Sequence, residues 1–323
     1  MSRSEELLSV WKEHANIGYV PYAFTDTDLV LKPKYINERP EGVDGYDWFG
    51  VHWTYQPEAD SMMVTPGSLP LISDITKWEE QVTFPDLSQY DWASYGAEET
   101  ANWDRENKVS IVMIKNGIFE RSHHLLGFEN ALEAMYEEPE AYKALVDRIT
   151  DYKVELVKIV GTYYKPQIIM MHDDFGANDR MMISLETWRE FFKDSLSRVV
   201  STAHEYGMVY EHHSCGHIEP LIGDLIEVGV DSLNPLQRPC NDIEKIKREY
   251  GGKITLVGGF ASQAVIDNPG ATDADKWADI KYAYDVLAPG GGYASFPIII
   301  DYKNNIRHFV KMHKELCDKY ANT

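Results

Sequence analysis

From about residue 107 onward, short apolar runs alternate with longer stretches whose apolar positions recur every three or four residues. The runs are KVSIVMI (108–114), QIIMMHDD (167–174), MVYEHHSC (208–215), DSLNPL (231–236), KITLVGG (253–259) and GGYASF (291–296). Several are apolar at consecutive positions, so both faces of each strand are covered, as in a parallel sheet. Between them lie helical patterns such as LETWREFFKDSLSRVVSTAHEYG, HIEPLIGDLIEVG and the final IRHFVKMHKELCDKYA. Strand and helix in alternation are the signature of βα units. With further strands expected near Tyr19–Phe24 and Phe49–Trp53, about eight units are available, and the chain is expected to form an α/β, TIM-like (β/α)8 barrel. In such a barrel the chemistry sits at the carboxyl ends of the strands.

Residues 16–100 have another texture: Pro, Gly, Tyr, Trp and Asp are frequent and helical period is weak. This part reads as an irregular, aromatic-rich lid or insertion on one domain spanning 1–323, with regular βα units over 107–323. Lys and Arg number 31 against 52 Asp and Glu, a net charge of −21 that repels phosphate backbones and anionic lipid. Nucleic acid and membrane are therefore not expected partners. No apolar run reaches spanning length, and the acidic start MSRSEELLSVWKEH is unlike a secretory leader. Three cysteines (Cys215, Cys240, Cys317) form no disulfide framework and fit a reducing, cytoplasmic compartment.

Polar residues at strand ends are the candidate chemistry. Side chains alternate faces along a strand, so Glu211, His213 and Cys215 share one side while His212 and Ser214 share the other. Imidazole and thiolate suit zinc, and a carboxylate or water can complete a tetrahedron, giving His213, Cys215 and Glu211 as expected ligands. Asp173 and Asp174 either cap the turn before Gly176 or act, with Glu211, as acids or bases; Asn234 ends another strand. His212, His217, Cys240, Cys317 and the Met170–Met171 and Met181–Met182 pairs read as structural.

HSCGHIEPLI, DSLNPLQ, ITLVGGF, APGGGYASF and NNIRHFVKMH, together with FPDLSQYDW and the region around GFENALEAMYEEPEAYKALVDRITDY, resemble the uroporphyrinogen decarboxylase superfamily, in particular its corrinoid-dependent methyltransferase branch. The resemblance implies a TIM-like barrel and a zinc pair at His213 and Cys215. Two departures narrow it. Decarboxylases of the family carry an Arg-rich motif near the N-terminus, whereas residues 16–60 hold only Arg39. Thiol-methylating members place a second cysteine near YASFPIII, where this chain has Ser295. A harder site, completed by Glu211, Asp173 or Asp174, suits polarising an oxygen.

The segment DWFGVHWTYQPEADSMMV resembles members that demethylate methoxylated aromatic compounds, with Trp48, Phe49, Trp53 and Tyr55 as aromatic walls and His52, Trp53, Tyr55 and Asn234 expected to bind substrate. The implied activity is zinc-dependent transfer of a methyl group from a methoxyarene to a corrinoid (cobalamin) on a separate protein, because the chain lacks an Asp-x-His-x-x-Gly corrinoid signature of its own. The alternatives are methyl transfer between a methyl-corrinoid protein and a thiol or other acceptor, and a non-catalytic barrel that binds an aromatic ligand or a corrinoid protein. A second copy of the chain is also a candidate partner.

Overall fold

A computed structural model describes the backbone of residues 1–320 and the side chains of all of these except 302 and 317–320, so Cys317 lies outside the described side chains. Among the described residues ten strands form two sheets: β1 (Thr27–Val30), β2 (Gly45–Tyr46), β3 (His52–Gln56), β4 (Ser61–Val64), β5 (Val109–Ile114), β6 (Ile168–His172), β7 (Val209–His213), β8 (Ser232–Asn234), β9 (Thr255–Val257) and β10 (Tyr293–Ala294). The large sheet runs β1-β5-β6-β7-β8-β9-β10, and every pairing in it is parallel. Its β10 edge is met by Tyr22, which bridges Ser295 in parallel. There the Ser295 N–H donates to the Pro21 carbonyl at 2.8 Å and the Ala23 N–H donates to the Ser295 carbonyl at 3.0 Å. The short helix Ala23–Asp26 then leads into β1, so the sheet curls into a TIM-like α/β barrel.

Two expectations near the start are corrected. The segment around Tyr19–Phe24 contributes a single bridge at Tyr22, and the first barrel strand lies further on, at β1. The strand expected at Phe49–Trp53 does not join the barrel: β3 pairs with β2 and β4 in a separate antiparallel sheet, the local hairpin partners being nearer in sequence than any barrel edge.

The parity of the barrel strands sorts two cores. Val109, Ile111 and Met113 of β5, Ile168 and Met170 of β6, Val209 of β7 and Val257 of β9 face inward and pack with Leu7, Val10 and Trp11. The alternate residues Val112, Ile114, Ile169, Met171, Tyr210, Leu233 and Leu256 face the helices. Leu7, Val10 and Trp11 belong to the helix Arg3–Lys12, opened by a capping box of Ser2 and Glu5. That helix closes the amino end of the barrel, where Ser4 Oγ donates to the Lys108 carbonyl at 2.8 Å and Thr255 Oγ1 donates to the Val10 carbonyl at 2.7 Å.

The small sheet is tied down by a fully buried charge cluster. Arg121 donates to Asp47 at 2.7 Å and to Glu38 at 3.0 Å, and Lys153 donates to Glu38 at 2.5 Å. Asp47 also accepts from Trp53 Nε1 at 3.0 Å. The helices Ile118–Leu126 and Pro139–Ile159 carry the cations, while the segment that feeds β2 and β3 carries the carboxylates. Buried charge is tolerated here because each member is paired and hydrogen-bonded.

Candidate metal centre and cavity

His172 and His213 end β6 and β7 and face each other in register, their imidazoles stacked at 4.4 Å between centroids. Asp174 lies two residues beyond His172, and one ligand atom from each of His172, Asp174 and His213 lies within 4.8 Å of the others. Cys215 Sγ is 3.6 Å from His213 Nε2. Zinc bonds of about 2.3 Å to sulfur and 2.1 Å to nitrogen, at a tetrahedral angle, place those atoms about 3.6 Å apart. His172, Asp174 and His213 thus fit a shared metal ion, and Cys215 stands beside His213 at a spacing suited to joining them.

The surrounding hydrogen bonds prepare the donors. His213 Nδ1 lies 2.7 Å from Asn234 Oδ1, an oxygen that can only accept, so Nδ1 carries the proton and Nε2 keeps its lone pair. His172 Nδ1 lies 2.8 Å from Glu120 Oε2. Carboxylate or amide oxygens behind imidazoles in this way fix ring orientation at metal sites. Burial, reinforced by His172, depresses the His213 imidazole to about 3, which keeps it in the neutral, ligating form. Burial also lowers His172, but Glu120 and Asp174 outweigh it and leave the imidazole above its ordinary value. For Asp174 burial acts upward, yet His172, His213 and the Cys215 N–H, which donates at 2.8 Å, hold the carboxyl below the usual range. Burial and the neighbouring Asp174 and Glu120 carboxylates raise the Cys215 thiol well above its free value.

Two glycines set the spacing of the strand ends. A Cβ on Gly176 would lie 2.4 Å from the Cys215 carbonyl oxygen, and one on Gly216, whose φ is +76°, would lie 2.4 Å from the Gly176 carbonyl oxygen. The loops after β6 and β7 therefore touch backbone to backbone, which brings Asp174 under the Cys215 N–H.

The remaining expected site residues divide. Asp173, of opposite parity, turns away from this centre and accepts the N–H groups of Ile118 (2.9 Å), Phe119 (3.2 Å) and Glu120 (2.9 Å), fixing the start of the helix Ile118–Leu126. Gly117 permits the approach, since a Cβ there would meet Asp173 at 2.3 Å. Burial and the Glu120 charge raise the Asp173 carboxyl to about 7, against three N–H donors that favour its ionised form. Glu211 is likewise set apart. Two residues below His213, it faces the barrel interior, where Oε2 accepts from Trp11 Nε1 and from Ser232 Oγ, each at 2.9 Å. Burial raises it to about 7. Of the carboxylates that the sequence offered to complete the site, Glu211, Asp173 and Asp174, Asp174 is the one beside His213, together with His172.

Beside the metal centre opens a cavity of about 800 Å³, bounded by β3, β4, the helix Ile118–Leu126 and the end of β6. His52 and Trp53 are among its lining residues. Tyr55 is not; its hydroxyl donates to Asp60 at 2.8 Å. Asn234 serves the His213 ring. Trp48 packs on Tyr90 and Trp92, and Phe49 on Phe84, Tyr152 and Arg121, so both are core. His172, Glu120, His123, His124 and Arg39, all lining the cavity, were not among the expected site residues. Parity applied to IIMMHDD would have found His172 and Asp174 together; nothing local marks the others.

A TIM-like barrel with imidazole, carboxylate and thiol converging at its strand ends is a scaffold for metal-assisted chemistry. The chain belongs to the uroporphyrinogen decarboxylase (URO-D) family, whose model matches residues 96–294. Among solved structures, a methyltransferase from Methanosarcina mazei superposes with a TM-score of 0.71 at 14% identity, covering 98% of this chain and 99% of that one. An L-ribulose 3-epimerase is more distant, with a TM-score of 0.46 at 12% identity over 74% of this chain and 84% of its own. No curated protein sequence matches significantly. Among the described residues no helix is long and apolar enough to cross a membrane.

Proposed function

We propose that the protein is the methyltransferase component of an O-demethylase, moving the methyl group of a methoxylated aromatic compound to the Co(I) corrinoid of a separate protein. The observation that carries this reading is the convergence of His172, Asp174 and His213, with Cys215 beside His213, next to an aromatic-walled cavity. A full-length likeness to a methyltransferase supports methyl transfer as the class of reaction. The donor set, with one thiolate among nitrogen and oxygen ligands, suits zinc employed on an oxygen substrate. Bound there, zinc would supply Lewis acidity to the ether oxygen, whose phenolate is otherwise a poor leaving group.

The chain's own residues do the rest. Asn234 and Glu120 hold the two imidazoles, and Asp174 fixes the loop that presents Cys215. The β2–β4 sheet covers the mouth as a lid, and Trp53 gives the ring a flat wall while excluding water. In the transfer the C–O electron pair stays on the aryl oxygen, cobalt provides the pair for the new Co–C bond, and the phenolate then takes a proton. Free thiols and a Co(I) partner favour a reducing, cytoplasmic setting for this reaction.

The test supplies zinc-loaded protein with a reduced corrinoid protein and a panel of methoxyarenes, following loss of Co(I) absorbance and formation of the phenol. Equimolar loss and formation support the reading. Absence of turnover with every panel member rejects it.

A further inference from the structure

The cavity wall away from the strand ends carries a different chemistry. Arg39 is the only Lys or Arg among its lining residues, and its guanidinium lies 5.7 Å over the Trp53 ring. Its Nε is buried and makes no hydrogen bond. The nearest paired carboxylate, Glu41, is 3.5 Å away, beyond hydrogen-bonding reach, and is shared: Lys115 bonds it and Lys32 lies at 3.4 Å. Three cations thus face one carboxylate in a chain whose net charge is −21. Glu38, the adjacent acid, is taken up by Arg121 and Lys153. Of the carboxylates lining the cavity, Glu120 is held by His172, and Asp174 lies in the metal centre beneath the Cys215 N–H.

His124 packs on the same indole, its ring edge-on to Trp53 at 4.8 Å, and feels the Arg39 charge. Its Nδ1 is buried and has no partner. Unpaired polar groups and surplus charge are costly in a buried wall, and an anionic ligand removes both costs.

We infer that Arg39 and His124, both packed on Trp53, form an anion subsite, and that the substrate of this cavity is an aromatic acid whose ring carboxylate they hold. This rests on the methyltransferase reading for the second substituent, the methoxy group, which then faces His172, Asp174 and His213. The carboxylate sets the orientation of the ring, and the guanidinium fork matches it with two donors.

Calorimetric binding of benzoate and of benzamide, its neutral near-isostere, to the full chain tests the subsite without any methyl transfer. Benzoate is expected to bind at least about tenfold more tightly. Arg39→Gln should abolish that preference, and Arg39→Lys should keep part of it. Equal binding of the two ligands by the unaltered protein, or a preference that survives Arg39→Gln, overturns the subsite. If benzoate preference depends on Arg39 but 3-methoxybenzoate passes no methyl to a corrinoid protein, the subsite stands and the methyltransferase reading falls. Turnover of neutral methoxyarenes with no preference for acids removes the subsite alone.

Discussion

Each imidazole at the strand ends is useful only because of the atom behind it. Asn234 dictates which nitrogen of His213 is bare, so Asn234→Ala is expected to weaken metal binding by about 10- to 100-fold while the circular dichroism stays native. Zinc titration against a chromophoric chelator measures this. Cys215→Ser should also lower zinc content and abolish methyl transfer, because a hydroxyl is a far poorer soft-metal donor than a thiolate. Retained metal and activity in that variant would remove Cys215 from the ligand set. Asp173 acts on a different quantity. Three N–H groups depend on its carboxylate, so Asp173→Ala should cost about 3 kcal/mol in urea unfolding by leaving buried donors unpaired.

The loops after β6 and β7 behave as one unit, since each fills the space that a side chain on the other would need. Gly216→Ala forces a Cβ into the Gly176 carbonyl at a positive φ and is expected to reduce zinc occupancy as well as stability, by about 1–3 kcal/mol. Gly223 is the control: it sits in the helix Ile222–Glu227 with nothing within 4 Å of an added Cβ. Gly223→Ala should stabilise the protein by about 0.5–1 kcal/mol and leave zinc content unchanged. At this scale much was legible in advance. The consecutive apolar residues of VSIVMI and IIMM announce buried parallel strands, and the parity of EHHSC selects His213 and Cys215. What could not be read was which layer of the barrel a residue reaches. Glu211 shares the parity of His213 but meets Trp11 from a helix two hundred residues away in the chain. Glu120 and His124 reach the cavity only because Asp173 pins their helix, a contact that leaves no local trace in IFERSHH.

The barrel seam couples the two ends of the chain. His313, on the last helix, stacks on Tyr22 at 4.8 Å, lies 3.1 Å from the Tyr19 hydroxyl and 2.7 Å from that of Tyr284. Burial lowers its imidazole from 6.5 to about 4. Because the unfolded chain takes up this proton first, the contribution is fully present above pH 6.5 and is lost as pH falls toward 4, by about 1.4 kcal/mol per pH unit inside that window. His313→Phe keeps the stacking but cannot titrate, so the urea midpoint of that variant should fall less steeply over the same range. The helix Arg3–Lys12 has a kinetic consequence as well. Its partners lie as much as 245 residues away, at Thr255, so it leaves the ribosome long before the barrel bottom it closes exists. Trp11, Leu7 and Val10 must wait as an exposed apolar stripe through most of synthesis. Glu5, Glu6 and Glu13, which flank that stripe, set negative charge beside it during the delay.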